Sequence, residues 1–336
     1  MTLRAFLATT PSGLMRVDGR DGAWTAAPVL REDVRCLAAD PLTPSTVFAG
    51  TQGRGVWRST DGGMTWQPAG LDGHIVKSLA VSRVDPGTIY AGVKPAMIHV
   101  SHDGGETWAE LNAFRRIRAW WWFSPAEAPF RAYVQAIALS PSDPNVIVAG
   151  IEAGAVVRSA DRGRTWTGHR PGAMRDCHSL AFHATNGKWA YQGGAWFRHG
   201  PGAYSRDGGV TWTSDRDGAD RAYGWAVAAD CARPEVWYVS AAPGIRAHGT
   251  RADAAIYRSA GGAGWQRLGG GLPDPLHGMP YALLTDSATS GVVWAGLSSG
   301  DIWMSDDFGD SWTKIPIQLP GIHSMVLTTI PEEVSQ

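Results

Sequence analysis

One octet that returns along the chain limits the possible folds more than any other feature of the sequence. Each good copy begins with Ser and ends with Trp. The five good copies are S-T-D-G-G-M-T-W (59–66), S-H-D-G-G-E-T-W (101–108), S-A-D-R-G-R-T-W (159–166), S-R-D-G-G-V-T-W (205–212) and S-D-D-F-G-D-S-W (305–312). Two worn copies end at Trp24 and Trp265. Units of about 40 to 50 residues are typical of propellers, so seven marker tryptophans predict seven units.

The chemistry of the octet is that of a tight turn. Ser and Asp side chains satisfy nearby backbone N–H groups, and Gly adopts the positive φ that other residues resist. The closing Trp supplies a large apolar face that packs against the next unit. A residue that recurs in every turn belongs to the turn, so the sequence predicts a structural role for Asp61, Asp103, Asp161, Asp207 and Asp307.

The octet resembles the Asp-box, or BNR repeat, of sialidases, xyloglucanases, sortilin-type receptors and photosystem II assembly factors. Five good copies cover most of the chain, so the resemblance is specific for fold and unspecific for function. It implies a sialidase-like β-propeller fold. A glycosyl hydrolase-like label drawn from the same repeat adds nothing beyond that fold.

The segments around each octet predict four strands per unit. Two apolar stretches separated by a turn such as Asp40-Pro41 precede the octet, a third strand leads into it and a fourth follows. Four-stranded units are the blades of propellers. The chain begins in a segment with the pattern of a unit's second strand (5–9) and finishes in one with the pattern of a unit's first strand (324–330). Pairing of these two strands would remove the open edges. We therefore predict an all-β fold: one seven-bladed domain over 1–336, with blade one shared between about 1–30 and 318–331.

Three insertions interrupt the regular spacing, and all three fall on one face. The largest, 112–132, connects blades three and four, while 195–201 and 243–253 join the second and third strands of blades five and six. The octets join third and fourth strands, so strand direction places the insertions on the opposite face. Long loops on a rigid scaffold often carry function. That face is the predicted working surface.

The first residues of the innermost strands form a second function-like feature on the same face. Alignment of the blades on a small–apolar–small core places one residue of each at the channel entrance. These are Arg35, Lys77, Gln135, His178, Gly224 with Tyr223 beside it, Tyr281 and His323. Six of the seven positions are polar. This predicts either a ligand site or a hydrated channel entrance that needs polar residues in any case.

The residue types of this ring suit acid–base chemistry. Imidazoles titrate near neutral pH, so His178 and His323 are the predicted acid and base, with the Asp176 carboxylate nearby. Tyr223 and Tyr281 are predicted proton donors. The set suits an enzyme of the hydrolase or lyase type acting on a small anionic molecule or a saccharide, in outline like some propeller polysaccharide lyases.

Ligand-binding candidates fall in two places. In the ring, Arg35 and Lys77 are predicted to hold a carboxylate or a developing oxyanion, with Gln135 alongside. In the longest insertion, Trp120, Trp121 and Trp122 follow one another, and three successive tryptophans cannot all point inward on a regular element. They are predicted to form a sugar platform, a partner contact together with Arg115 and Arg116, or a cap over the channel.

Several narrower functions fit the sequence poorly. Sialidases carry an F-R-I-P-like segment, usually on six blades, and this chain has no such segment. Xyloglucanase-like enzymes cleave between two propellers, and one is predicted here. Glycoside hydrolysis needs a carboxylate pair, for which Asp33, Asp72, Asp176 and Asp220 are weak candidates. No cofactor is predicted; a metal held by His74, His178 and His323 stays open without an H-x-H or H-E-x-x-H motif.

Charge and cysteine content narrow the partners and the compartment. A formal charge of -1 gives no bulk attraction to nucleic acid or to an anionic membrane, so neither is predicted as a partner. Cys36, Cys177 and Cys231 are an odd number and far apart, which favours a reducing compartment. No stretch has signal-peptide or membrane-spanning character, so a cytoplasmic location is predicted.

Two functions from different classes therefore stay open. The first is an enzyme or binder with a small-molecule or saccharide ligand at the channel entrance. The second is a non-catalytic assembly scaffold that contacts a protein partner through the Arg- and Trp-rich insertion. A mixed His/Tyr/Lys/Arg ring at a channel favours the first.

Overall fold

The innermost strands of seven antiparallel sheets form a closed ring. The computed structural model describes residues 4–20, 22–118, 122–124, 128–197, 199–249, 251–261 and 264–329. Each innermost strand contacts the innermost strands of the sheets on both sides, and the last of them contacts the first. The predicted seven-bladed propeller is therefore confirmed.

The strands follow one another in blade order along the chain. Blades one and two contain β1 (Arg4–Thr10), β2 (Gly13–Arg20), β3 (Ala23–Leu30), β4 (Val34–Ala39), β5 (Val47–Thr51), β6 (Val56–Ser59) and β7 (Gln67–Pro68). Blades three and four contain β8 (Ile75–Val81), β9 (Ile89–Lys94), β10 (Met97–Ser101), β11 (Ala109–Glu110), β12 (Val134–Leu139), β13 (Ile147–Ile151) and β14 (Val156–Ser159). Blades five and six contain β15 (Asp176–Phe182), β16 (Ala190–Ala195), β17 (Gly202–Ser205), β18 (Thr213–Ser214), β19 (Tyr223–Ala229), β20 (Val236–Ala242), β21 (Ala255–Ala260) and β22 (Trp265–Arg267). Blade seven contains β23 (Pro280–Thr285), β24 (Val293–Leu297), β25 (Ile302–Ser305) and β26 (Thr313–Lys314), and β27 (Ser324–Thr328) returns to blade one. Two short 3-10 helices, Asn112–Arg116 and Ile245–His248, lie in the insertions.

The two ends of the described chain meet in blade one, as the sequence predicts. Strand β27 pairs antiparallel with β1, with Phe6 opposite Leu327 and Ala8 opposite Met325. Met325 is buried in a hydrophobic cluster with Phe6 of blade one and Trp294 of blade seven. Because the last strand is the innermost strand of the first blade, neither end of the ring is left as an open edge.

The octets form the turns between the third and fourth strands. In blade two the Ser59 hydroxyl donates to Asp61 Oδ1 (2.7 Å) and accepts from the Gly63 N–H (2.8 Å), while the Thr65 N–H donates to the same carboxylate (2.9 Å). The other four good octets repeat this arrangement. Hydrogen bonds from Ser311 lower the pKa of Asp307 to about 2. In each good octet, then, the carboxylate is engaged within its own turn.

Blade four departs from the prediction of four strands. Its sheet has three strands, and an isolated bridge between Arg158 and Thr167 stands where the fourth would begin. In blade two the Val56 N–H donates to the Gly70 carbonyl, whereas in blade four the equivalent Val156 N–H donates to the His169 Nδ1 (3.2 Å). A side-chain acceptor has replaced a backbone one here, and the outer strand of blade four is reduced to a single bridge.

This imidazole makes the stability of blade four sensitive to acid. Burial first, and then the charge of Arg175, lowers the pKa of His169 to about 4. The unfolded chain binds this proton near pH 6.5, so folding stability falls as the pH falls from about 6.5 towards 4. We expect His169→Asn, which keeps an acceptor without titrating, to remove about 1–2 kcal/mol of the loss between pH 7 and pH 5. Urea unfolding of both proteins at the two pH values measures this, and parallel losses would contradict it.

Candidate functional site

The predicted entrance residues reach the channel through a shared backbone irregularity. In six innermost strands the pairing register shifts and forms a β-bulge, around one residue in five of them and over Trp225 and Ala226 in blade six. A bulge bends the strand and re-aims the side chain of the extra residue. The bulged residues are Arg35, Lys77, Gln135, His178, Trp225 and Tyr281, and His323 directly precedes the seventh innermost strand. All seven line an inner channel cavity of about 300 Å³.

Blade six corrects the predicted ring by one residue. The alignment places Gly224 at the entrance, but Gly224 pairs with Ala241 inside the regular ladder, and Trp225 is the residue displaced into the channel. The small–apolar–small core of this strand is Ala226-Val227-Ala228, so Trp225 precedes it as Arg35 precedes its own core, and the predicted alignment of blade six was one residue out of register. The ring therefore contains an aromatic residue at this position.

A wider cavity of about 900 Å³ opens outside the inner channel, and we call it the channel mouth. It is lined by six of the seven ring residues, all except His178, and by residues of neighbouring segments. Those neighbours include Asp33, Tyr133, Glu152, Asp176, Tyr223 and His248. The volume is within the range that holds drug-sized ligands.

One side of the mouth is aromatic, and Trp225 is its centre. Its ring lies 5.2 Å from that of Tyr281 and 4.8 Å from that of His248, measured between centroids. The ring of His323 follows at 5.5 Å from Tyr281. Aromatic faces of this kind pack against apolar ligand surfaces while their polar edges remain available for hydrogen bonds.

Three of these groups form a hydrogen-bonded chain. His248 Nδ1 lies 2.5 Å from the Tyr281 hydroxyl, and its Nε2 lies 2.9 Å from the Tyr223 hydroxyl. A neutral imidazole has one N–H donor and one acceptor nitrogen, so one phenol donates to His248 and the other accepts from it. His248 comes from the 3-10 helix of the blade six insertion, so this loop completes the chain.

The environment separates the pKa values of Tyr281 and His323. Burial raises the pKa of Tyr281 to about 12. Burial, and then the charge of Arg35, lowers the pKa of His323 from its usual 6.5. The phenol therefore keeps its proton and the imidazole is neutral at pH 7. Such a pair supplies one proton donor and one proton acceptor.

The cations of the ring lie on blades two and three. Arg35 forms an ion pair with Asp33 (2.9 Å), and the Lys77 ammonium lies 4.8 Å from the centre of the Tyr133 ring. Both side chains line the mouth, together with the acidic residues Asp33, Glu152 and Asp176. The mouth thus carries groups of both signs.

His178 is placed differently from the other ring residues. Its side chain is fully buried (0% exposed), it stacks on Trp225 at 4.3 Å, and it lines the inner channel. Its Nε2 lies 3.4 Å from Asp176 Oδ2. Burial lowers the pKa of His178, but the carboxylates of Asp176 and Glu152 outweigh it and the pKa is raised. His178 faces these carboxylates rather than the open mouth.

The other predicted site residues have the following places. Trp122 is buried in the hydrophobic cluster between blades three and four, with its ring 6.4 Å from that of Phe114, and so does not form an open platform. Trp120 and Trp121 lie outside the described residues. His74 packs against His99 rather than against His178 or His323. Asp220 forms ion pairs with Arg221 and Arg267.

The predicted set lacks several residues that line the mouth, among them Glu152, Ala153 and His248. Glu152 follows β13, and its N–H donates to the Tyr133 carbonyl (3.2 Å). Next to it, the Ala153 N–H donates to Asp176 Oδ1 (3.2 Å), which fixes that carboxylate. The insertion of blade six (243–253) contains one His, His248, and this was the sequence feature that could have indicated it as a site residue. For Glu152 the sequence carries no signal, because only the fold brings it beside Asp176.

The insertions also expose large apolar side chains. Phe130 of the longest insertion is 64% exposed, Phe197 of blade five 82% and Ile245 of blade six 74%. Of these three, Ile245 lines the mouth.

A closed ring of seven antiparallel sheets with a polar and aromatic cavity at one end of its channel defines this chain as a seven-bladed β-propeller. The model of the DUF6242 beta propeller domain matches residues 5–244. The chain belongs to this DUF6242 family. No curated protein matches it in sequence.

Solved structures share the fold and differ in function. An ancestral GH74 enzyme is 21% identical with a TM-score of 0.65 over 86% of this chain, and the Niastella koreensis GH74 enzyme is 16% identical with a TM-score of 0.63 over 84%. This chain spans only 39% and 45% of the length of those enzymes. YCF48 bound to D1 peptide is 14% identical with a TM-score of 0.55, over 84% of this chain and 82% of YCF48. At these identities the likeness extends to the fold alone.

The described residues contain no helix of the length and hydropathy needed to cross a membrane.

Proposed function

We propose that this chain is an enzyme of the hydrolase or lyase type that acts on a saccharide at the channel mouth. The observation that carries the proposal is the pair Tyr281 and His323. Their rings lie 5.5 Å apart, and their pKa values are displaced in opposite directions. A proton donor and a proton acceptor side by side suit cleavage of a bond to oxygen.

In the proposed reaction His323 takes up one proton and Tyr281 gives up another. The neutral His323 imidazole accepts a proton. In hydrolysis it comes from a water whose oxygen bonds to the sugar carbon, and in elimination it comes from a C–H next to a carboxylate, whose electron pair forms a C=C bond. Tyr281 gives its proton to the oxygen of the leaving group, whose bond to carbon breaks. No oxidant or reductant is needed.

The hydrogen-bonded chain supports the phenolate that Tyr281 becomes. When the Tyr223 hydroxyl donates to His248 Nε2, the neutral imidazole carries its proton on Nδ1. That N–H then donates to the Tyr281 oxygen, 2.5 Å away, and leaves the Tyr281 proton for the substrate. Hydrogen bonding to a developing anion stabilises it more than it stabilises the neutral phenol.

The aromatic side of the mouth favours a sugar ring as the substrate. Trp225 and Tyr281 offer aromatic surface for the apolar C–H face of a sugar, and the Gln135 amide offers hydrogen bonds. Arg35 and Lys77 lie on the other side of the ring and would contact an acidic substituent. Saccharides with and without a carboxylate therefore belong in one test.

We expect Trp225→Ala to weaken saccharide binding at least about tenfold, because stacking of a ligand ring on an aromatic side chain contributes about 1–3 kcal/mol. Purified protein is incubated with a panel of neutral and uronic-acid oligosaccharides. Calorimetry measures binding, and mass spectrometry distinguishes products that contain an added water from unsaturated products.

Trp189→Ala is the matched control, because Trp189 stacks with Tyr191 and Tyr204 in blade five, away from the mouth. It should bind the saccharide as the unaltered protein does. If no saccharide binds, or if Trp225→Ala binds as well as Trp189→Ala, the proposed substrate class is wrong.

A second candidate function is an assembly scaffold, and the exposed Phe130, Phe197 and Ile245 favour it. YCF48, which shares the fold, is seen with a bound peptide. Of the basic residues predicted for this role, Arg115 is paired with Glu110 (2.5 Å). A chain that cleaves no member of the saccharide panel but binds a peptide partner through these apolar side chains would be a scaffold. The cytoplasmic location, and the absence of nucleic acid and membrane partners, stay predictions.

A further inference from the structure

A cluster of three metal-ligating side chains lies where the inner channel meets the mouth. One ligand atom each from Glu152, Asp176 and His178 lies within 4.8 Å of the other two. The closest measured pair, His178 Nε2 and Asp176 Oδ2, is 3.4 Å apart. Two ligands at about 2.1 Å from a tetrahedral cation are separated by about 3.4 Å, so this spacing fits adjacent positions on one ion.

The backbone fixes the tautomer of His178. Its Nδ1 lies 2.6 Å from the Gly224 carbonyl oxygen, and a carbonyl only accepts, so Nδ1 carries the proton. The neutral imidazole then directs the Nε2 lone pair at the carboxylates. Histidine ligands of metals commonly donate their other N–H to a backbone carbonyl in this way.

The Nε2 atom itself is buried and lacks a hydrogen-bond partner among the described residues. A buried polar atom left unsatisfied costs about 1–3 kcal/mol, so a positive partner is favoured at this point, either a proton shared with Asp176 Oδ2 or a bound cation. A cation coordinated by Nε2 and the two carboxylates would satisfy it.

The donor set selects the class of metal. Ca²⁺ and Mg²⁺ prefer oxygen ligands alone, whereas imidazole nitrogen suits first-row transition metals and Zn²⁺, and carboxylates are accepted by Mn²⁺ and Zn²⁺. Glu152 and Asp176 also line the mouth, while His178 lies behind them. A cation here would have three protein ligands and open positions towards the mouth.

We propose that Glu152, Asp176 and His178 bind one divalent cation of the Mn²⁺ or Zn²⁺ class, with its open positions facing the channel mouth. This site does not depend on the proposed reaction. If a saccharide with a carboxylate does bind, the cation would add positive charge to the side of the mouth formed by Glu152 and Asp176.

The test is direct metal binding by the full chain after treatment with a chelator and its removal. Mn²⁺, Zn²⁺, Ca²⁺ and Mg²⁺ are titrated separately by calorimetry. We expect one equivalent of Mn²⁺ or Zn²⁺ to bind, with Ca²⁺ and Mg²⁺ at least about tenfold weaker. We expect Asp176→Asn and Glu152→Gln each to weaken this binding by about tenfold or more.

Asp33→Asn is the matched control, since Asp33 is a carboxylate of the same mouth that pairs with Arg35 outside the cluster. It should keep the affinity within about twofold. The circular dichroism spectrum shows whether each variant is folded. If either Glu152→Gln or Asp176→Asn does not fold, the other variant alone tests the site. Spin-echo spectroscopy of bound Mn²⁺ should show one directly coordinated imidazole nitrogen.

Two results would overturn the proposal. One is a folded chain that binds none of the four cations. The other is binding that Asp176→Asn and Glu152→Gln leave unchanged, or that lacks the nitrogen signal, because the cation would then lie elsewhere among the ten histidines of the chain.

Discussion

Tyr281→Phe is expected to lower kcat on a cleaved saccharide by about a hundredfold to ten-thousandfold, the usual contribution of a positioned proton donor. The change removes one oxygen and keeps the ring that packs 5.2 Å from Trp225. Substrate stacking and therefore KM should change little. Steady-state kinetics on the saccharide identified in the panel measures the two parameters separately.

His323→Ala should lower kcat to a similar extent, because the neutral imidazole is the proposed proton acceptor. The His323 backbone N–H donates a hydrogen bond to the Thr9 carbonyl, and the variant retains it because the side chain is not involved. Small amines or imidazole in solution should partly restore His323→Ala but not Tyr281→Phe. Equal rates for Tyr281→Phe and the unaltered chain would remove this residue from the reaction.

The fold was predictable from the sequence because it repeats. Asp61 and its four counterparts hold their turns with the same hydrogen bonds, so each copy of the octet carries the full local signal. Closure of the ring was also predictable, since the last segment of the sequence has the pattern of an innermost strand and the first blade lacks one. The prediction lost accuracy outside the octet: blade four has a good octet, but just after it His169 takes the place of a backbone acceptor.

The site was less predictable because a site departs from the repeat. Alignment found six of the seven ring residues and missed Trp225, because the strand of blade six was aligned one residue out of register with its Ala226-Val227-Ala228 core. It also gave His178 and His323 equal roles, although His178 is enclosed by Trp225 and faces Asp176. Glu152 and His248 reach the mouth from loops of two different blades. Their proximity is a property of the closed ring alone.

Removal of strand β27 is expected to abolish cooperative folding. A chain ending at Pro320 loses the five residue pairs between β27 and β1. It also loses Ile322 and Met325 from the cluster that joins blades one and seven. Each buried aliphatic side chain contributes about 1.5–3 kcal/mol, so the loss is several kcal/mol against a total stability of about 5–15 kcal/mol. Thermal unfolding followed by circular dichroism should show no transition, or one lowered by more than about 15 °C.

A peptide with the sequence of residues 321–329 should restore the truncated chain, because β1 would present a free edge with a defined register. A scrambled peptide is the control and should leave the chain unfolded. The peptide also carries His323, so ring closure and proposed catalysis can be separated in one experiment. A peptide with His323→Ala should restore the unfolding transition without the saccharide cleavage. If the truncated chain keeps its full stability without any peptide, the closure in blade one does not hold the ring together. If the peptide with His323→Ala restores cleavage as well, His323 is not the base.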